Sequence, residues 1–200
     1  RRKSRGLGDV YKRQLLLLYV VEPERLDQPD ESMLHVAWDL ANARTLLARV
    51  EALGGTMHIR TGRPEQVLQN LQDTSAIVSL HSHEETGLQW SWERDKRVMA
   101  WCEANDTVWH EHPWNGVVRR LTDRDRWNSI RNRRMVEPVL EAPARLPSHS
   151  NLTCVDETKG VFPCYNDLVK TPLEAGEPAA HAWLDSFLST RFDYYLPTIS

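Results

Sequence analysis

The run LLLLYVV, Leu15 to Val21, constrains this chain more than any other stretch. Its seven uncharged apolar residues are too few to span a bilayer, which needs about 20. They are also too continuous for a strand with one wet face. Such a run is a strand buried on both sides, as in a parallel sheet covered by helices. The residues after Glu22-Pro23 repeat the theme. Ser32 is placed to cap a helix carrying Leu34, Trp38, Ala41, Leu46, Val50 and Leu53, which Gly54-Gly55 ends. Thr56–Arg60 has strand character, Pro64 opens a helix through Val67, Leu68 and Leu71, and Ser75–Leu80 is a third strand. Leu88–Ala104 has helical character and Thr107–Glu111 is a fourth strand. Short strands alternating with helices predict βαβ units, right-handed crossovers and a Rossmann-like open parallel sheet with helices on both faces.

Beyond Asp123 the character changes. Arg124–Val136 is helical in pattern, with Trp127, Ile130 and Met135 on a basic strip. Glu137–Gly176 holds several prolines and little periodicity, the composition of a linker. Helical spacing returns over Glu177–Phe192, with Ala180, Trp183, Leu184, Phe187 and Leu188 as its apolar positions.

The net charge of −3 is uneven. The first thirteen residues carry six basic groups and one acid, a sum of +5, which leaves −8 for the rest. An acidic body argues against a broad phosphate-binding face, because nonspecific nucleic-acid affinity comes from Lys and Arg. The prefix itself has two readings, a basic nucleic-acid arm or a translated cloning adapter, of which GLGDVYKRQ has the look. The second is preferred, so Arg1–Arg13 is expected to be irregular and to add nothing to the fold. Three cysteines without a CxxC pair suit a reducing, cytoplasmic setting.

Two HxH pairs, His81/His83 and His110/His112, fall near strand ends with Glu84, Glu85 and Glu111 beside them. Imidazole and carboxylate ligands suit zinc, iron or manganese, so a small α/β nucleotide- or metal-binding hydrolase is one reading. Hydrogen-bonded polar groups at loop ends are the plainer one, and no metal site is assigned. HExxH, GxSxG, P-loop and GxGxxG motifs are all missing from the sequence. Trp90 and Trp92 open the third helical stretch, where they could stack on a planar chromophore or pack the helix onto the sheet.

LLLLYVVEP, then HEETG followed by RD, then NGVVRRL followed by RDRW stand in order between Leu15 and Trp127. Together they resemble the N-terminal antenna domain of the DNA photolyase/cryptochrome family. In that family the domain begins one strand and one helix earlier, with an arginine-rich word that this sequence lacks. The resemblance therefore implies a non-native prefix over residues 1–14, a partial antenna domain over 15–136, an interdomain linker over 137–176 and the start of a flavin-binding helical domain over 177–200. A central strand is expected to be missing, leaving an apolar sheet edge. For the intact protein the resemblance implies a deoxyribodipyrimidine photolyase, in which FAD drives light-dependent repair of a flipped lesion, or a cryptochrome blue-light photoreceptor. This fragment alone is expected to be inactive. An antenna chromophore of pterin/folate, deazaflavin or lumazine type is implied, with Glu84, Glu85, Trp90 and Arg94 as candidate lining residues. Trp90-Ser91 stands where folate-binding members carry an Asn-Glu pair, which disfavours folate. Asn115, Gly116, Arg119 and Arg120 are the expected interdomain contacts. The implied partners are the helical flavin domain and, through it, UV-damaged DNA, with no membrane.

Overall fold

The computed structural model describes residues 14–114, 116–147 and 151–198, so the expectations for Arg1–Arg13 and Asn115 lie outside the described residues. The chain forms two compact units. One joins the described residues through Val21 with Leu26–Thr61 and the chain from Pro143 onward; the other joins Glu22–Arg25 with Gly62–Ala142. The architecture is the expected α/β one, open parallel sheets with helices on both sides, but the strands divide into two sheets.

In the first unit, strand β1 (Leu16–Val21) pairs in parallel with β2 (Thr56–Thr61), from Leu16 opposite Thr56 to Val21 opposite Thr61. Strand β5 (Val155–Asp156) adds to the far side of β2. Thus β1 lies at an edge of its sheet although its apolar run is that of an interior strand. Helix α2 (Met33–Ala52) follows the short helix α1 (Pro23–Leu26). The Ser32 hydroxyl caps α2 by accepting from the His35 N–H at 3.3 Å, and Gly54, at φ 80°, lets the chain leave it. The stripe that α2 buries is Val36, Leu40, Ala43 and Val50, which closes a core with Val21, Met57 and Ile59. Leu34 and Leu46 of the expected stripe are exposed instead. A Cβ on Gly55 would stand 2.8 Å from Leu146 Cδ1, so only glycine admits the later chain this close. That chain supplies Leu146, Cys154 and Phe162 to the same core, followed by helices α6 (Tyr165–Leu168), α7 (Glu177–Ser186) and α8 (Phe192–Thr198), with a π-helical turn joining the last two.

In the second unit, α3 (Pro64–Gln72) starts at the proline that fits a first helical position. Its Val67 and Leu68 are buried, as are Val98, Trp101 and Cys102 of α4 (Gln89–Ala104). The Trp101 indole N–H donates to Gln69 Oε1 at 2.9 Å. Strand β3 (Ser79–His83) pairs in parallel with β4 (Val108–His112). The expected third strand, Ser75–Leu80, starts too early. The amides of Thr74 and Ser75 still cap the end of α3 through the Leu71 carbonyl, and the Ile77 amide is held by Gln72 Oε1. Backbone groups used in that way are unavailable to a ladder, so β3 begins at Ser79 and carries the first HxH pair within it. Helix α5 (Trp127–Met135) follows a 3₁₀ turn at Arg124–Arg126.

Candidate functional site

In open α/β sheets ligands bind beyond the carboxyl ends of the strands. Beyond β3 the Glu84 amide still donates to the His112 carbonyl, at 2.8 Å, and the chain then turns sharply into α4. Glu85 makes that turn. Its Oε1 accepts from the amides of Thr86 and Gly87 at 2.9 and 2.6 Å. Its Oε2 accepts from Arg94 Nη2 at 2.7 Å. Arg94 also donates through Nη1 to Glu22 Oε1 at 2.7 Å and through Nε to Asp95 Oδ1 at 3.0 Å. One guanidinium thus serves three carboxylates. Burial pushes the Glu22 and Asp95 carboxyls above their ordinary range, against the pull of Arg94. Their second oxygens, Glu22 Oε2 and Asp95 Oδ2, are buried and accept no hydrogen bond.

Residues 85–89, Trp92, Arg119 and Arg120 line an open cleft of about 360 Å³ at this turn. Cations surround the Trp92 ring: the guanidinium carbons of Arg119 and Arg120 lie 5.2 and 5.8 Å from its centroid and the Lys96 ammonium 5.9 Å. An ion pair to Glu111 holds Arg119. Arg120 has no carboxylate partner among the described residues, and its φ of 55° puts it in the left-handed region that side chains seldom occupy. The sequence model of the DNA photolyase family matches residues 10–123. The chain belongs to the DNA photolyase family. Among solved structures it is similar to the photolyase of the archaeon Sulfolobus tokodaii, at 15% identity and a TM-score of 0.56, over 86% of this chain and 39% of that one. That crystal structure holds two FAD molecules and is described as implicating a novel light-harvesting cofactor. The likeness shows a shared fold, and this chain spans about two fifths of that photolyase's length. No curated protein matches the chain.

The cleft takes in only part of the expected residue set. Of Glu84, Glu85, Trp90 and Arg94, only Glu85 lies on its wall. Both Glu85 oxygens are engaged by the chain itself, so Glu85 shapes the cleft and has little acceptor capacity left for a ligand. Arg94 is the centre of the ion network, with its guanidinium 5.8 Å from the Trp90 ring. The aromatic wall is Trp92, two residues further along α4. Arg119 and Arg120, the expected interdomain residues, line the cleft. Gly116 is elsewhere, accepting at its carbonyl the Trp127 indole N–H at 2.9 Å and packing on Arg131.

The register sets His81 opposite His110 and His83 opposite His112, all four exposed on one face of the β3–β4 sheet. The His81 and His110 rings stack at 4.5 Å, His81 Nδ1 lies 3.1 Å from His112 Nε2, and Trp114 meets His83 edge-on at 4.7 Å. Among the described residues no group of three or more His, Cys, Asp or Glu side chains is arranged to hold a metal ion. The hydrolase reading built on this cluster finds no geometric support. Cys102, Cys154 and Cys164 are all free thiols. No described helix is long and apolar enough to cross a membrane.

Proposed function

We propose that this chain is the light-harvesting part of a DNA photolyase, or of a related cryptochrome photoreceptor, and that the cleft at the end of β3 holds the antenna chromophore. The family match supports the general assignment, and the environment of Trp92 carries the specific one. A planar ring laid on the indole gains stacking and apolar burial. Arg120, unpaired with any described carboxylate, suits a phosphate on the ring's tail. Gln89 offers a polar edge, Leu88 an apolar one, and Arg119 stays fixed by Glu111. These groups fit a phosphorylated flavin better than an uncharged lumazine or a folate. Once bound, such a chromophore supplies absorption of near-ultraviolet or blue light and passes its excitation to a catalytic flavin. The chain's own residues orient the ring and shield one face from water. Repair of pyrimidine dimers with FAD, or blue-light signalling, is proposed for the assembled protein; the present chain alone is expected to repair nothing.

The test is to titrate the purified chain with riboflavin, riboflavin phosphate, FAD and folate while following tryptophan quenching. Tighter binding of the phosphorylated flavins than of riboflavin is expected. Failure of every chromophore class to bind would remove the cleft assignment and leave the family membership standing.

A further inference from the structure

Strands β3 and β4 form a two-stranded parallel sheet with five residues in each strand. A pair that short has little stability of its own. Strand alternation puts both histidines of each HxH word on one face, and all four are exposed there. The four rings are not equivalent. His81 and His110, direct cross-strand partners, lie nearly parallel, 4.5 Å apart and 18° between planes, so their nitrogens do not aim at one point. His83 packs edge-on against Trp114 at 4.7 Å, with its centroid 6.5 Å from that of His112. Across the diagonal, however, His81 Nδ1 and His112 Nε2 come within 3.1 Å. Two imidazole nitrogens on one ion, each about 2.0–2.1 Å from it, stand roughly 2.9–3.4 Å apart for angles from square to tetrahedral. The observed separation falls inside that range. It also suits a hydrogen bond from one ring to the other, which satisfies the pair when no ion is bound.

We propose that His81 and His112 form a cross-strand, two-imidazole site for a divalent transition-metal ion of the Cu²⁺, Ni²⁺ or Zn²⁺ class, which staples β3 to β4. Imidazole suits these ions, whereas Mg²⁺ and Ca²⁺ prefer oxygen ligands. On binding, each ring turns a lone pair to the ion and carries its proton on the other nitrogen, His81 at Nε2 and His112 at Nδ1. Both rings stay neutral and nothing is oxidised or reduced. The remaining coordination positions face solvent and take water. Stacking by His110 fixes the plane of His81, and His83 with Trp114 borders His112 on its far side. The ion joins residues 31 positions apart in the chain. It secures the end of β3, from which Glu85 turns toward α4. An ion held by the folded sheet more tightly than by the unfolded chain adds its binding free energy to the stability of the second unit. Among the described residues no third His, Cys, Asp or Glu completes the set, so the pair is a staple and not a hydrolase centre. This revises the expectation that the histidine cluster holds no metal, and it is independent of the chromophore cleft.

The test is calorimetric titration of the untagged, metal-free full chain with nickel and copper(II) chloride at neutral pH. One ion per chain is expected, with Cu²⁺ bound more tightly than Ni²⁺. His81→Gln and His112→Gln should each weaken binding about tenfold or more, and His83→Gln and His110→Gln by less. His35→Gln, which alters an exposed histidine outside the sheet, should bind as the parent does. Saturating Ni²⁺ should raise the parent's thermal midpoint by about 5 °C and leave that of His81→Gln where it was. Electron paramagnetic resonance of the copper-loaded parent should show two equatorial imidazole nitrogens, and that of His112→Gln one. The altered rings are exposed, and circular dichroism melts without metal check that each variant folds as the parent does. Failure of both ions to bind overturns the proposal, as does parental affinity in His81→Gln or His112→Gln. A loss in His83→Gln equal to that in His81→Gln, with His112→Gln unaffected, would move the ion onto one strand and overturn the staple. Sulfur ligation in the copper spectrum would assign the ion to a free thiol and overturn it as well.

Discussion

The two units of this chain treat charge in opposite ways. In the first, each buried or half-buried arginine meets one carboxylate. Arg44 donates to Asp156 at 2.8 Å and to the Thr158 hydroxyl at 3.0 Å, and Arg60 pairs with Glu157. In the second, Arg94 is divided among Glu22, Glu85 and Asp95, while Arg124, Arg126 and Arg133 have no carboxylate partner among the described residues. Matched pairs pin a late segment, β5, to α2 and β2. Mismatched charge, by contrast, is left able to respond to something outside the fold, and perturbed groups of that kind gather where proteins bind and react.

The largest expected effect tests this directly. Arg94→Ala would strand three carboxylates, two of them buried, and should destabilise the second unit by about 3–5 kcal/mol, the cost of breaking a buried pair from one side. Arg44→Ala leaves Asp156 with the Thr158 amide and hydroxyl and should cost about 1–3 kcal/mol. Denaturant unfolding with hydrogen exchange resolved by peptide measures both. Equal losses would erase the distinction.

Next comes the cleft. Trp92→Ala and Arg120→Ala should each weaken flavin binding by about 1–3 kcal/mol, whereas Trp90→Ala should change it little. If Trp90 proves the stronger determinant, the aromatic wall has been assigned to the wrong turn of α4.

A pH series should then move the units in opposite directions. Hydrogen bonds from Thr158 and Arg44 overcome burial and hold the Asp156 carboxyl below its ordinary range. Its contribution is present above the unfolded carboxyl value and disappears as pH falls through the folded one. Glu22 and Asp95 are raised, so theirs is present below the unfolded value and disappears as pH rises through the folded ones. Protection factors should therefore fall in acid around β5 and fall toward neutral pH around Glu22 and the start of α4. Parallel pH profiles in the two regions would contradict this. The smallest effect is expected at Arg49, whose pair with Glu177 is exposed on both sides; Arg49→Ala should stay within about 1 kcal/mol of the parent by thermal melting.

Sequence reasoning found what local chemistry determines. The apolar run of β1, the Ser32 cap, the Gly54 exit and the Pro64 start each carry their own signal. It missed what distant residues decide. The two-residue strand β5 has no room for a pattern, and its place depends on Arg44 and on the His58 ring reaching the Thr153 carbonyl at 3.0 Å. Apart from Val50, common to both, the buried stripe of α2 (Val36, Leu40, Ala43) lies two residues from the expected Leu34, Trp38 and Ala41, because a helix with apolar residues on several sides is oriented by the sheet it meets. Trp92 and Trp90 look alike in sequence. Only Arg119 and Arg120, arriving from an irregular loop well beyond α4, make one of them the wall. Their arrangement as NGVVRRL hinted at a function but gave no sign of where in space they would go.

The uneven division of indoles between the two units has a spectroscopic consequence. Six of the eight tryptophans (Trp90, Trp92, Trp101, Trp109, Trp114 and Trp127) belong to the second unit. The emission of this protein is therefore almost a private signal of that unit, blind to most of what happens around β1, β2 and β5. A chromophore absorbing in the near ultraviolet and seated on Trp92 would overlap that emission and accept its energy. The domain proposed to gather light for another pigment thus carries a donor array of its own, able to show by its dimming when the antenna has arrived.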